Sequence, residues 1–322
     1  GKDKDFSFAD TYSPLDYRKL RICEARVWSM FRRAAPSLKL PVADYVLVKD
    51  GARPKTLPLW IKPDRKLSIK DVSGFMRDHF EGTPLDLSRG IGAGPYRLPY
   101  RWRPLTWKVD GTTHLNERAT STQQTGFSFV SQSRSWLPGP IGGVLWFSVD
   151  DSASTVYIPI YCGIRRVPKS YAEKTASFEK FSWGSAFWVF NFVANLAYSR
   201  YSDKIKVIQK VQQQLEDRFF ADQARIERAA LRLHRRSPDA ARRYPTRYSV
   251  KTGEMTTARW RKLGEQLVVK FLDGNVRDDK GKVTHPGYPE AWYRRIVEES
   301  REHFRVRRLA GEPAPEKKKG KK

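Results

Sequence analysis

Arg77-Asp78-His79-Phe80-Glu81 puts an acid, an imidazole and a second acid within five residues. Such a trio suits general acid–base chemistry, since imidazole titrates near neutrality and a carboxylate can orient it. The same three side chains serve equally well to cap a helix or shape a loop over a cleft. A thiol would turn the imidazole into half of a nucleophilic pair. Only Cys23 and Cys162 are available, and both read as inert. Cys23 falls on the apolar face of a helix, and Cys162 follows Ile158-Pro159-Ile160-Tyr161 at a buried strand end, neither an activating setting. A second polar group, Asn116-Glu117-Arg118 with Gln123-Gln124, stands just before a strand and lines either a site or a surface turn. Gly90-Ile91-Gly92-Ala93-Gly94 lacks the G-x-G-x-x-G spacing, and no Lys-Ser/Thr pair completes a phosphate loop, so it reads as a backbone turn. Two distant cysteines make no metal site, and no cofactor is expected.

The elements that must carry these residues follow from periodicity. Leu15, Leu20, Ile22, Cys23, Val27, Trp28 and Phe31 recur at helical spacing over 15–34, and Pro36 ends the run. Residues 43–49, with Val46-Leu47-Val48 at their centre, predict a strand, turned by Asp50-Gly51. Ser68 caps a helix through Phe80, with Asp71 completing a variant capping box. Residues 81–116, rich in Gly, Pro and aromatics, read as an ordered loop. Three strands follow, at 126–134, 143–149 and 155–161, the last two joined by a polar hairpin turn at 150–154. Beyond Ser185 the pattern is helical. A helix around 186–197 is apolar nearly all round and should be buried, and an amphipathic helix fills 202–235. A basic loop at 240–252 and helices at 256–273 and 289–308 complete the chain. Sheet and helices are segregated along the sequence, which is the α+β class.

The 322 residues carry 61 Lys and Arg against 35 Asp and Glu, a net charge of +26. From 223 onward the balance is 27 to 13. Arg225, Arg228, Arg232, Arg235 and Arg236 line one helix, either as a phosphate-tracking ridge or as a solvated face. No zinc-finger, RRM or KH signature accompanies them. No run of eighteen apolar residues exists, so no membrane-spanning helix is expected. The chain opens Gly-Lys-Asp-Lys-Asp, without Met or an apolar leader. It is expected to be a processed product or a piece of something longer.

Several strings occur together and in order. They include Arg21-Ile22-Cys23-Glu24-Ala25-Arg26-Val27-Trp28, Met76-Arg77-Asp78-His79-Phe80-Glu81-Gly82-Thr83 and Tyr100-Arg101-Trp102-Arg103-Pro104-Leu105-Thr106-Trp107. Glu117-Arg118, Thr125-Gly126-Phe127-Ser128-Phe129-Val130, Gly142–Asp151 and Phe187–Asn195 complete the set. Over about residues 6–220 the chain resembles peptidase family C69, dipeptidases of the N-terminal-nucleophile hydrolase type. The resemblance implies an αββα sandwich, of which this chain holds only the C-terminal part, followed by a helical extension. It implies dipeptide cleavage by a cysteine at the mature N-terminus, whose α-amine acts as base. Residue 1 is Gly, and neither Cys23 nor Cys162 stands in the nucleophile's position. No catalytic residue is therefore expected in this chain, and little activity from it alone.

The expected organisation is a C69-like region at 1–220, a basic helical extension at 221–310 and a disordered Lys-rich tail at 311–322. Substrate-binding candidates are Asn116, Glu117, Arg118 and Gln124, with Asp78, His79 and Glu81. Arg118 is expected to hold a substrate carboxylate or orient the nucleophile, because a guanidinium fork matches a carboxylate. Expected partners are a dipeptide and either the missing N-terminal half or a second copy. The alternative reading is a non-catalytic basic protein binding nucleic acid or another polyanion through the extension. A third is a scaffold whose apolar face, formed by Trp146, Phe147, Phe187, Trp188 and Phe192, awaits a partner. Two departures from the family pattern are Arg97, where a small residue is usual, and Gly184, where Asp is usual.

Overall fold

The computed structural model describes residues 11–13, 15–49 and 51–307. The tail expected at 311–322, and Asp50 of the expected Asp50-Gly51 turn, lie outside the described residues.

Helix α1 (Ala25–Ala34) continues a helical turn at Tyr17–Lys19 and a π-helical stretch at Leu20–Glu24. Its buried Ala25 and Trp28 join Val46, Phe80, Leu85, Leu87 and Ala119 in a small N-terminal core. The strand expected at 43–49 is absent. Val42–Tyr45 forms one helical turn, and the Val42 carbonyl accepts from the N–H groups of both Val46 and Leu47. Among the described residues no strand lies beside these β-branched side chains, so local hydrogen bonding decides.

Helix α2 (Ile69–Met76) begins at the expected capping box, with Ser68 and Asp71 each accepting from the other's backbone N–H. It stops four residues short of Phe80, which turns with φ +65°. Inside the expected loop at 81–116 lies a hairpin, β1 (Thr106–Val109) and β2 (Thr112–Leu115). Asp110 and Gly111, both at positive φ, make its two-residue turn. Arg97 also has positive φ (55°), a backbone state that favours a small residue.

The main sheet is antiparallel, in the order β3 (Phe127–Ser133), β4 (Gly143–Val149), β5 (Ile158–Tyr161). Val130 lies opposite Trp146, and Trp146 opposite Pro159. Trp146 is fully buried, its ring 4.5 Å from that of Phe220. It is therefore core and does not belong to an open apolar face. Phe147, Phe187, Trp188 and Phe192 are half-buried, while Phe127 and Phe129 of the outer strand are the exposed rings.

Three helices complete the core: α3 (Ala186–Tyr198), α4 (Tyr201–His234) and α5 (Pro238–Lys270). Phe190 of α3 stacks on Trp260 of α5 at 4.9 Å. Helix α4 runs through residue 220 without a break, and Ile226, Ala230, Trp260 and Leu263 share one core with Trp146. The basic loop expected at 240–252 is instead the first half of α5. Ser237 caps it by accepting from Ala240 N–H, Pro238 occupies the first turn, and Pro245 is buried in the helix. The Thr246 hydroxyl donates to the Arg242 carbonyl beside that proline. A last helix, α6 (Glu290–Phe304), follows a short hairpin of Val276–Arg277 with Val283–Thr284.

The outer edge of β5 is sealed by side chains of α5. Ser249 Oγ donates to the Pro159 carbonyl at 2.9 Å and accepts from Tyr161 N–H at 3.2 Å. Just beyond the strand, Thr246 Oγ1 accepts from Arg165 N–H. An exposed edge would leave these groups seeking another strand. The close approach of α5 also requires Gly253, where a Cβ would collide with the Pro168 ring.

Between β4 and β5, residues 150–157 are buried throughout, which an exposed hairpin turn would not be. Arg77 donates from Nε to the Ser152 carbonyl and pairs with Glu216 at 2.5 Å. Glu216 also accepts from Tyr157 N–H, and Gln212 Nε2 donates to the Thr155 carbonyl. Removing one member of a largely buried pair leaves the other uncompensated. Glu216→Ala should therefore lower unfolding free energy by about 3 kcal/mol. Glu290→Ala, which breaks an exposed pair with Arg294, should cost less than about 0.5 kcal/mol. Denaturant midpoints compare the two, and equal small effects would show that the pair does not hold the segment.

Candidate functional site

Residues 77–81 follow the end of α2 and reach in two directions. Arg77 points to the sheet connection. Asp78, 1% exposed, faces α1, where it accepts from Ser29 Oγ and Arg33 Nη1, each at 2.7 Å. Its backbone carbonyl accepts from Ser121 N–H. Asp78 is thus a tie between segments rather than a group free to act on a ligand. His79 is buried, with Nδ1 3.0 Å from Glu81 Oε1 and its ring edge-on to Tyr100 at 5.1 Å. Its Nε2 has no hydrogen-bond partner among the described residues. Burial would raise the Glu81 carboxyl, but the His79 ring and backbone N–H outweigh it and bring it down to about 2.

Tyr100 leads from His79 to the two buried aspartates. Its hydroxyl donates to Asp151. Asp151 also accepts from Ser121 Oγ at 2.8 Å, Ala153 N–H at 3.1 Å and Ser154 Oγ at 3.2 Å. Four donors explain how a fully buried carboxylate is tolerated. Asp150, in the left-handed region at φ +65°, accepts from Asn191 Nδ2 at 2.9 Å, and its Oδ2 is unpartnered. Burial first, and the neighbouring Asp151 charge, push the Asp150 carboxyl up to about 7, against the pull of Asn191. Tyr198 and Tyr201 pack edge-on against Tyr100. Burial and the Asp151 carboxylate hold their hydroxyls well above their usual range.

Above this floor lies a narrow crevice of about 20 Å³, walled by Tyr100, Ser121, Glu117, Arg118, Gln124 and their neighbours. It shares Arg103, Leu105 and Arg118 with an open cleft of about 720 Å³. Asp16, Arg18, Lys19, Ile22, Cys23, Pro104 and Thr106 form the cleft's other walls. Glu117 is paired with Arg21. Arg118 has no carboxylate partner among the described residues, and its buried Nε is unbonded. Burial, with Arg26 and Arg103 nearby, lowers its proton affinity. Thr106 Oγ1 is a second buried and unbonded polar atom of the cleft. Cys23 is exposed on a cleft wall and Cys162 is exposed beyond β5, so neither is the buried thiol expected.

The structure thus brings Glu117, Arg118 and Gln124 together. Asn116 supports them only through its N–H, which bonds the Leu105 carbonyl. His79 reaches the crevice through Tyr100, whereas Asp78 and Glu81 serve the framework behind it. Sequence reasoning missed Arg26, Arg103, Tyr100, Ser121, Asn191 and the buried character of Asp150-Asp151. One signal was available: Ser152-Ala153-Ser154 is small enough for a packed turn and lacks the Gly or Asn of an open hairpin. No three His, Cys, Asp or Glu side chains converge on a metal-binding point among the described residues.

A model of peptidase family C69 matches residues 1–214. This chain belongs to peptidase family C69. Among its relatives, "Probable dipeptidase B" of Streptococcus pyogenes serotype M1 is 22% identical over 209 residues, 64% of this chain and 39% of the relative. "Probable dipeptidase" of Salmonella dublin is 27% identical over 164 residues, 50% of this chain and 30% of the relative. "Probable dipeptidase" of Latilactobacillus sakei is 24% identical over 154 residues, 48% and 28%. The chain therefore spans well under half the length of these relatives. The C69 match contains both the crevice and the buried aspartates and ends within α4.

The buried Asp150 carboxyl gives a pH test of the polar interior. Folded Asp150 keeps its proton to about pH 7, whereas in the unfolded chain it ionises near pH 4. Between these values the folded state binds more protons, so this group's contribution to stability falls as pH rises. Asp150→Asn, which also tolerates positive φ, removes that loss. The variant should gain roughly 2–4 kcal/mol on the wild type between pH 4 and pH 7.5. Urea unfolding at the two pH values reads it, and parallel pH dependences would contradict the assignment.

Proposed function

We propose that this chain forms the substrate-binding side of a C69 dipeptidase whose nucleophilic cysteine lies on a segment outside it. The carrying observation is the unpaired Arg118, flanked by Arg26 and Arg103 on a cleft of about 720 Å³. A cleft of that volume takes a small peptide. A guanidinium with an unbonded N–H fits a peptide's terminal carboxylate, and Thr106 Oγ1 offers a further polar contact. Glu117, held by Arg21, and Gln124 would shape the narrow end. His79, Tyr100 and Asp151 would support it from behind, as positioning residues.

In this reading the cysteine thiol adds to the scissile carbonyl carbon and its proton passes to the cysteine's own α-amine. The amine returns the proton to the departing amino group, and water then releases the acyl group from sulfur. The half-covered sheet supports a matching fold proposal. Phe127 and Phe129 leave the β3 side apolar and exposed, as one half of an αββα sandwich would. The cover would be the N-terminal segment, or a second copy of the chain. Residues 221–310 would then be a helical extension of the peptidase region at 1–220.

The test supplies a Cys-headed segment from a C69 relative by co-expression and measures hydrolysis of a dipeptide panel. Cleavage is expected, with Arg118→Ala raising KM about 10- to 100-fold and largely sparing kcat, as removal of a charge-assisted hydrogen bond predicts. A reconstituted, folded complex that cleaves no dipeptide would overturn the peptidase reading. An unchanged KM in Arg118→Ala would overturn the role of Arg118.

A further inference from the structure

At the far end of the α4–α5 pair, away from the C69 cleft, lies a second cavity of about 550 Å³. Its walls are Arg165 and Arg166 from the loop after β5, Leu233 from α4, and Ala240, Arg243, Thr246 and Arg247 from α5. Four guanidinium groups therefore come from two separate parts of the chain. All four are exposed. Asp239 pairs with Arg165 and Arg243 and fixes their position. Arg166 and Arg247 have no carboxylate partner among the described residues.

The surroundings carry the same charge. Residues 221–250 hold eight Arg, no Lys and three acids, Asp222, Glu227 and Asp239. Every one of those acids is already engaged, with Arg225, Arg134 and the Arg165–Arg243 pair respectively. Arg225, Arg228, Arg232 and Arg236 recur at three- and four-residue spacing and are all exposed, while Ile226 and Ala230 between them are buried. They form one outward ridge leading to the helix turn beside the cavity. A merely soluble surface needs charges of both signs and no preference between Arg and Lys. A surface of arginine alone, with its carboxylates spent, matches a ligand bearing many planar-fork acceptors, which phosphate oxygens are.

We propose that the cavity and the ridge form a binding site for the phosphodiester backbone of a nucleic acid. The cavity, with Arg166 and Arg247, grips one or two phosphates, and the ridge follows the strand beyond. A small polyphosphate shares this chemistry but would fill the cavity alone and leave the ridge unused. The site is independent of the peptidase reading, because none of its residues lines the cleft at Arg118.

The test measures binding of a labelled 20-base-pair DNA duplex to the full chain by fluorescence anisotropy, from 50 to 300 mM salt. Binding is expected near 150 mM salt. The double variant Arg166→Gln/Arg247→Gln should weaken it about tenfold and reduce the salt slope by about 2, one for each phosphate no longer gripped. Neither residue holds a salt bridge, so unchanged melting should show that the double variant folds. Lys206→Gln/Lys210→Gln, elsewhere on α4, should leave binding unaltered. The proposal is overturned if the chain fails to bind near 150 mM salt, or if the arginine variant binds like the wild type. Displacement of the duplex by inorganic tripolyphosphate at equal phosphate concentration would overturn the nucleic-acid assignment in favour of a small polyphosphate.

Discussion

The fold turns on one ion pair, Arg77 with Glu216, and on the buried segment it holds. Glu216 belongs to a helix that begins more than a hundred residues after Arg77, and their meeting fixes α4 against the β4–β5 connection. The guanidinium also bonds the Ser152 and Thr155 carbonyls, and the carboxylate the Tyr157 N–H. Backbone groups that could not otherwise be buried are thereby satisfied. The next residue, Asp78, ties the same short stretch to α1 through Ser29 and Arg33. Two adjacent side chains thus fasten the N-terminal core and the main core to each other. The crevice lies at that seam, because Tyr100 and Ser121 reach Asp151 only when both cores are in place.

The polar interior shows a division of labour. Asp151 receives four donors and remains an acceptor. Asp150 receives one side-chain donor, Asn191, and burial pushes its carboxyl up to about 7. Two adjacent carboxyls in a confined space cannot both ionise cheaply, and the Asp150 carboxyl is the one pushed up. Above them the charge reverses. Arg18, Lys19, Arg103 and Arg118 line the cleft, Arg26 stands near Arg118, and Glu117 is neutralised by Arg21. An anionic group entering the cleft meets four cationic side chains and one carboxylate, Asp16, along its lining.

The sequence made the regular elements readable where one local rule sufficed. Ser68 and Asp71 announce the start of α2, alternation announces β3, and the continuous apolar run announces α3. Failures came where distant partners decide. Val42–Tyr45 carries strand-forming residues but meets no strand among the described residues. Pro245 and the arginines around it resemble a loop, yet α4 and β5 hold that stretch in a helix. The polar string Asp150–Ser154 resembles a surface turn, because nothing local reveals that Arg77, Gln212 and Glu216 will meet it. At the site, Glu117, Arg118 and Gln124 were legible as a polar group before a strand. Tyr100, Arg26 and Arg103 were not, since only the folded chain brings them beside that group.

Ser249, Thr246 and Glu216 occupy the backbone groups along and around β5, whereas the outer side of β3 meets no strand among the described residues. The sheet therefore has a direction. A further strand has one margin on which to add, and that margin carries Phe127 and Phe129. Whatever extends the sheet must arrive at β3, the margin opposite the one that Ser249 closes.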